Sequence, residues 1–159
     1  GDWSSDVCSS DLLAVESAMQ RTGVADLAER PFDTLSGGER ARVLLARVLA
    51  VEAPLLLADE PVASLDPYHQ LQVMELLRDY ADAGAAVIVV MHDLILAARF
   101  CDGLLLLRDG ALVAQGAPER VLSAEHLADS YRIAALRGEY QGQHYVVPWQ
   151  RRTSESGPP

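Results

Sequence analysis

Apolar positions along the chain change their period several times, and the changes mark out the elements. Leu13 to Arg21 and Val24 to Glu29 read as short helical stretches, separated by Gly23 as a C-terminal stop and closed by Pro31. Ser36 is placed as the N-cap of a longer helix reaching about Val51. Its apolar positions Val43, Leu44, Val48 and Leu49 recur at helical spacing, with Arg40, Arg42 and Arg47 on the other side. Ala53-Pro54 stops that helix. Leu55 to Ala58 is then a continuous apolar run, the pattern of a strand buried on both faces. Asp66 caps the next helix, Pro67 occupies its first turn and Gly84 ends it. Ala86 to Met91 repeats the buried-strand pattern, and a helix from Asp93 to Phe100 follows. Leu104 to Leu107 and Ala111 to Ala114, joined by Arg108-Asp109-Gly110, read as a hairpin. Ser123 caps a last helix through Tyr131, and from about Gln150 the chain is a loose tail rich in Arg, Ser, Gly and Pro. There is no internal repeat. Helix, strand, helix, strand, helix and hairpin, in that order, make the second half of an α/β domain.

Gly1 to Leu12, which reads GDWSSDVCSSDL, follows neither period, and no packed element is expected there. The string is similar to the conceptual translation of a sequencing-library adapter, and it is set aside as a leader foreign to the domain. On that reading the natural start of the gene is missing. A partial domain is expected over residues 13–138, with an extension over 139–159.

Length and composition narrow the possible chemistry. With 159 residues, half of them hydrophobic, the chain can bury one ordinary core. The net charge of −10 argues against a nucleic-acid surface, which needs clustered cations. Removing Asp2, Asp6 and Asp11 with the leader changes that charge to −7. All 13 basic residues are arginine, so no phosphate-binding P-loop ending in lysine lies within this chain, and lysine Schiff-base chemistry is excluded. Cys8 and Cys101 make neither a disulfide framework nor a zinc site, which suits a reducing compartment, and Cys101 fits a small buried apolar position. The longest apolar stretches, such as Ala85 to Met91, fall far short of the roughly 20 residues of a bilayer helix.

Three clusters can carry chemistry. In Leu35-Ser36-Gly37-Gly38-Glu39 the glycines let backbone approach an anion, while the helix head behind them offers free N–H groups and the positive dipole end. The same pentapeptide also suits an ordinary Ser-capped helix. In Leu55 to Pro61 an apolar strand runs out into Asp59 and Glu60, an expensive arrangement unless a cation or a reacting group meets the carboxylates. Neighbouring strand residues point to opposite sides, so Asp59 can hold Mg²⁺ through water while Glu60 polarises an attacking water. A plain charged pair at a strand exit is the alternative. Ser64-Leu65-Asp66 follows, with Asp66 also suited to a simple helix cap. The third cluster is His92, directly after the second strand, with Asp93 able to cap the helix beyond.

Taken in order, LSGGE, LLLADEP, SLD and the post-strand histidine resemble the ATP-binding subunit of an ABC transporter, over about Leu13 to Leu122. The resemblance implies an incomplete P-loop NTPase-like domain, with a parallel-sheet core, a remnant of the helical subdomain and a C-terminal β-hairpin. It implies ATP and Mg²⁺ as cofactors. Ser36, Gly37 and Gly38, with Glu39, would be the signature contacts to the γ-phosphate held by the P-loop of an opposite subunit. Asp59 would be the Walker B carboxylate, Glu60 the catalytic carboxylate, Asp66 the D-loop aspartate and His92 the switch histidine. Ala58 stands where the family commonly has a bulkier aliphatic residue.

The implied partners are a second ATP-binding subunit in a head-to-tail dimer, transmembrane permease subunits and, indirectly, a substrate-binding protein, all at the cytoplasmic face of a membrane. DPYHQLQVMELLR, HDLILAARFCDGLLLLRDG and VAQGAPERVL resemble importers of iron-siderophore, haem or cobalamin type. The chain as written, without lysine, is expected to have no useful ATP affinity and no ATPase activity of its own. Two other classes stay open: a non-transport ATPase of the same superfamily, and a non-enzymatic α/β module in which the Ser-Gly-Gly and Asp-Glu pairs are structural.

Overall fold

The computed structural model describes residues 9–63 and 65–152, so Ser64 and the first eight residues of the expected leader lie outside the described residues. The chain divides into two compact units, the first running to Met91 and the second starting at His92.

The first unit opens with helix α1 (Ser9–Arg21), which packs against α2 (Gly37–Leu49). The helix starts four residues before the expected Leu13, so Ser9 to Leu12 form its first turn, with Leu12 exposed. The helix expected over Val24 to Glu29 is a single 310 turn, Ala25–Leu27, and a second such turn spans Phe32–Thr34. Val24 and Leu27 are buried against the helix pair instead of extending a helix of their own.

Strand β1 (Leu55–Asp59) pairs in parallel with β2 (Ala86–Val90), in the register Leu55 to Ala86, Leu57 to Ile88 and Asp59 to Val90. Between them runs α3 (Pro67–Asp82), which packs against β2. The Tyr80 hydroxyl donates to the Ala53 carbonyl at 2.7 Å, fixing the entry to β1.

Two expectations are corrected here. The strands are not buried on both faces: Leu57 is 70% and Ile88 54% exposed, while Leu56 on the opposite face is 4% exposed. A continuous apolar run shows that both faces want cover, not which layer supplies it; among the described residues one face is bare. On α2 the buried residues are Ala46 and Leu49, with Leu44 and Val48 exposed, so the helix is turned from the orientation its larger side chains suggest.

The second unit contains α4 (Leu94–Phe100), strands β3 (Leu104–Arg108) and β4 (Ala111–Gly116), short α5 (Pro118–Val121), α6 (Ala124–Tyr131), and strands β5 (Ile133–Tyr140) and β6 (Gln143–Arg151). The β3–β4 hairpin forms where expected. Asp109 and Gly110 both have positive φ, 52° and 77°, the geometry of the tight turn that matches strand twist. A second antiparallel hairpin, β5–β6, turns at Gln141 and Gly142 with φ of 52° and 78°. Its β6 packs on α4, and Val146 joins Leu94, Leu122 and Leu127 in the core of this unit. Cys101 is half-buried at the C-cap of α4.

Candidate functional site

Ser36 heads α2 in a reciprocal capping box. Its Oγ accepts from the Glu39 N–H at 3.3 Å, and the Glu39 carboxylate accepts from the Ser36 N–H at 2.7 Å. The serine hydroxyl therefore accepts within the chain and keeps its own proton to donate outward. The other Glu39 oxygen pairs with Arg30 at 3.2 Å. These contacts, the backbone N–H of Ser36 foremost, hold the Glu39 carboxyl below the usual glutamate range. Glu39 thus spends both oxygens on positioning Ser36. Gly37 and Gly38 carry no positive φ, and a Cβ built on either would meet no atom within 4 Å. Nothing among the described residues requires glycine at either position.

Asp59 ends β1 exposed, and its carboxylate has no hydrogen-bond or ion-pair partner among the described residues. Glu60 follows with φ of 47°, in the left-handed region that costs a non-glycine residue about 1 kcal/mol or more. It is held there on both sides: its N–H donates to the Val90 carbonyl at 2.9 Å, and its own carbonyl accepts from the Ala63 N–H at 3.2 Å. The turn aims Glu60 away from the strand line immediately after the bare carboxylate.

Asp66 caps α3, its Oδ1 accepting from the N–H groups of Tyr68 and His69 at 3.0 and 3.2 Å. Its Oδ2 lies 2.5 Å from His69 Nδ1. The His69 side chain, then its backbone N–H, lower the Asp66 pKa from the ordinary aspartate value. His69 Nε2 in turn lies 3.2 Å from Arg42 Nη1 on α2. The structure so brings the helix of the Ser-Gly-Gly cluster and the Asp66 cap into one hydrogen-bonded chain. His92 is exposed and opens the second unit, and Asp93 beside it caps α4, accepting from Ile95 and Leu96.

Arg42 and His69 were passed over in the sequence. The Asp66-to-His69 spacing of three at a helix head was the available signal, since it brings the two side chains together. Arg42 lies on the side of α2 away from the expected apolar positions, and it is half-buried there.

The two carboxylates can serve a hard cation. Mg²⁺ takes one or two carboxylates and fills its shell with water and phosphate oxygens, which the single exposed Asp59 suits. Among the described residues no group of three or more His, Cys, Asp or Glu gathers around a metal position, so further ligands would come from water and nucleotide.

A helix-headed Ser-Gly-Gly, a two-carboxylate strand exit and a capped aspartate thus sit on a parallel α/β framework. The family model described as ABC transporter matches residues 6–63, beginning inside the segment set aside above. The chain is homologous to the ATP-binding proteins of ABC transporters and corresponds to part of their length. It is 48% identical over 147 residues to the cobalamin import ATP-binding protein BtuD of Halobacterium salinarum, covering 91% of this chain and 37% of that protein. It is 56% identical over 121 residues to the hemin import ATP-binding protein HmuV of Streptomyces coelicolor, covering 76% and 43%. The chain therefore spans less than half the length of either. A solved ABC transporter structure in an inward-facing conformation, described as of metal-chelate type, superposes with a TM-score of 0.79 at 27% identity, over 94% of this chain and 61% of that one. A dimeric ATP-binding cassette in a post-hydrolysis state, bound to ADP and Pi, superposes with a TM-score of 0.63 at 28% identity, over 74% and 51%.

Proposed function

We propose that the chain is the C-terminal portion of an ATP-binding, ATP-hydrolysing subunit that powers an importer, with a cargo of iron-siderophore, haem or cobalamin type. The observation that carries this reading is the carboxylate corner. An exposed Asp59, whose carboxylate has no partner among the described residues, ends an apolar strand directly before Glu60, a placement that leaves it open to a cation.

In this reading Asp59 holds Mg²⁺ and Glu60 accepts a proton from, and thereby orients, the attacking water. Bound Mg²⁺ supplies positive charge against the phosphate oxygens of ATP. Ser36 donates its free hydroxyl proton, and Gly37 and Gly38 offer N–H groups that their position at a helix head leaves without carbonyl partners. Open space at both glycines supports a partner approaching from outside the chain. That partner is the phosphate cradle of a second ATP-binding subunit, arranged head to tail so that each site combines two chains. Asp66 lies at the subunit junction and His92 meets the γ-phosphate. The assembly works on permease subunits at the cytoplasmic face of the membrane, with a substrate-binding protein delivering cargo to them.

The complete ATP-binding protein tests the reading. Glu60→Gln retains ATP-driven dimerisation and loses turnover, because the proton acceptor is gone while the binding contacts remain. Ser36→Arg abolishes that dimerisation while costing the fold no more than about 1 kcal/mol of capping. Full turnover in the first variant, measured by phosphate release, removes Glu60 from its role. Dimers surviving the second, measured by sedimentation, remove the composite site.

A further inference from the structure

Arg42, His69 and Asp66 form a hydrogen-bonded chain whose direction follows from the donors available. A guanidinium has donors only, so the Nε2 of His69 facing Arg42 Nη1 at 3.2 Å must present its lone pair. The ring proton therefore sits on Nδ1 and is donated to Asp66 Oδ2 at 2.5 Å. The ring is bonded at both nitrogens. Asp66 is meanwhile fixed by two backbone N–H groups through its other oxygen, so the chain ends on a carboxylate with little freedom left. Arg42 lies six residues after Ser36, so its end of the chain is anchored on the Ser-Gly-Gly helix itself.

We infer that Arg42 and His69 are positioning residues that fasten the Asp66 carboxylate to the helix headed by Ser36, Gly37 and Gly38, so that these two clusters shift as one body when a partner subunit closes on them. The inference rests on the composite-site reading above. The effect of the two residues is exerted on when, and how squarely, the two clusters present themselves together. A bridge through an imidazole ring fits that task, because it transmits position through two directed hydrogen bonds on opposite sides of one rigid plane.

The conservative substitutions split the bridge. His69→Asn keeps a donor near the Nδ1 position and drops Arg42; His69→Gln keeps a polar group near the Nε2 position and drops Asp66. In the complete ATP-binding protein each of these, and Arg42→Gln, lowers kcat for ATP hydrolysis on the order of tenfold, with KM for ATP within about twofold. The Arg42→Gln/His69→Asn double variant is no slower than the worse single one, since a link can be cut only once. In the unsubstituted protein, nitrogen-15 NMR of the histidine side chains shows His69 protonated at Nδ1 and bare at Nε2. A ring protonated at Nε2, a kcat unchanged in all three single variants, or losses that multiply in the double variant each overturn the inference. Glu60→Gln run in parallel separates the failures. If it abolishes turnover while the bridge variants do nothing, the bridge is wrong and the site stands. If it leaves turnover intact, the site reading falls, and the ring-proton assignment still judges the bridge.

Discussion

Glu60 and Asp66 show how differently two carboxylates can be held. Glu60 has its backbone pinned in a region that favours glycine, whereas Asp66 has every oxygen engaged by a neighbour. Asp66 and Glu39 share a further property, because hydrogen bonds to the charged form push both below their ordinary pKa values. A carboxyl lowered in the folded state adds stability above its unfolded pKa and gives it up as pH falls through the folded value. Acid titration of the protein below the ordinary carboxylate range is therefore expected to reduce its stability to denaturant. Asp66→Asn combined with Glu39→Gln should flatten that pH slope; an unaltered slope would mean that neither cap matters. Residue-level chemistry was partly legible in the sequence. The caps at Ser36, Asp66, Asp93 and Ser123 could be read because a short polar side chain before an apolar period has few other uses. The strain at Glu60 could not, since a backbone angle depends on what Val90 and Ala63 impose from elsewhere.

Elements with local turn chemistry were legible, and those decided by tertiary packing were not. Asp109-Gly110 announces its hairpin, whereas Gln141-Gly142 does so weakly, and Arg137-Gly138-Glu139 interrupts the apolar pattern of β5. The second hairpin is instead stabilised across its strands. Gly138 lies opposite Tyr145, whose ring occupies the space a Cβ at Gly138 would need. Pro148 sits in β6 opposite Ala135, beside the register shift between Ala134 and Ala135, the kind of irregular position where a strand tolerates proline. Gly138→Val should accordingly destabilise the protein by about 1–3 kcal/mol through overpacking. Combining it with Tyr145→Ala should recover most of that loss, and chemical denaturation of the three variants would show whether it does. The α2 helix gives the complementary lesson: Leu44 and Val48 are apolar yet exposed, so helical period located the element but not its buried side.

On the scale of the whole molecule, the parallel pair β1–β2 has one covered and one bare face. Leu55 and Leu57 line the bare side with Ile88 and Val90, all about half or more exposed. Contiguous apolar surface beside unpaired strand edges promotes self-association. The chain on its own is therefore expected to associate in a concentration-dependent way, and Leu57→Lys with Ile88→Glu should suppress this by placing opposite charges across the register. Sedimentation velocity over a range of concentrations reads the result; a chain that stays monomeric without the substitutions would contradict it. The same pairing puts Asp59 on the side of Leu55 and Leu57, because residues two apart on a strand share a face. Any layer that seals those aliphatic side chains must also wall in the carboxylate beside them. Completing the hydrophobic seam and drying that carboxylate would then be a single thermodynamic event, in which the gain of the first is set against the desolvation cost of the second until a cation arrives to offset it.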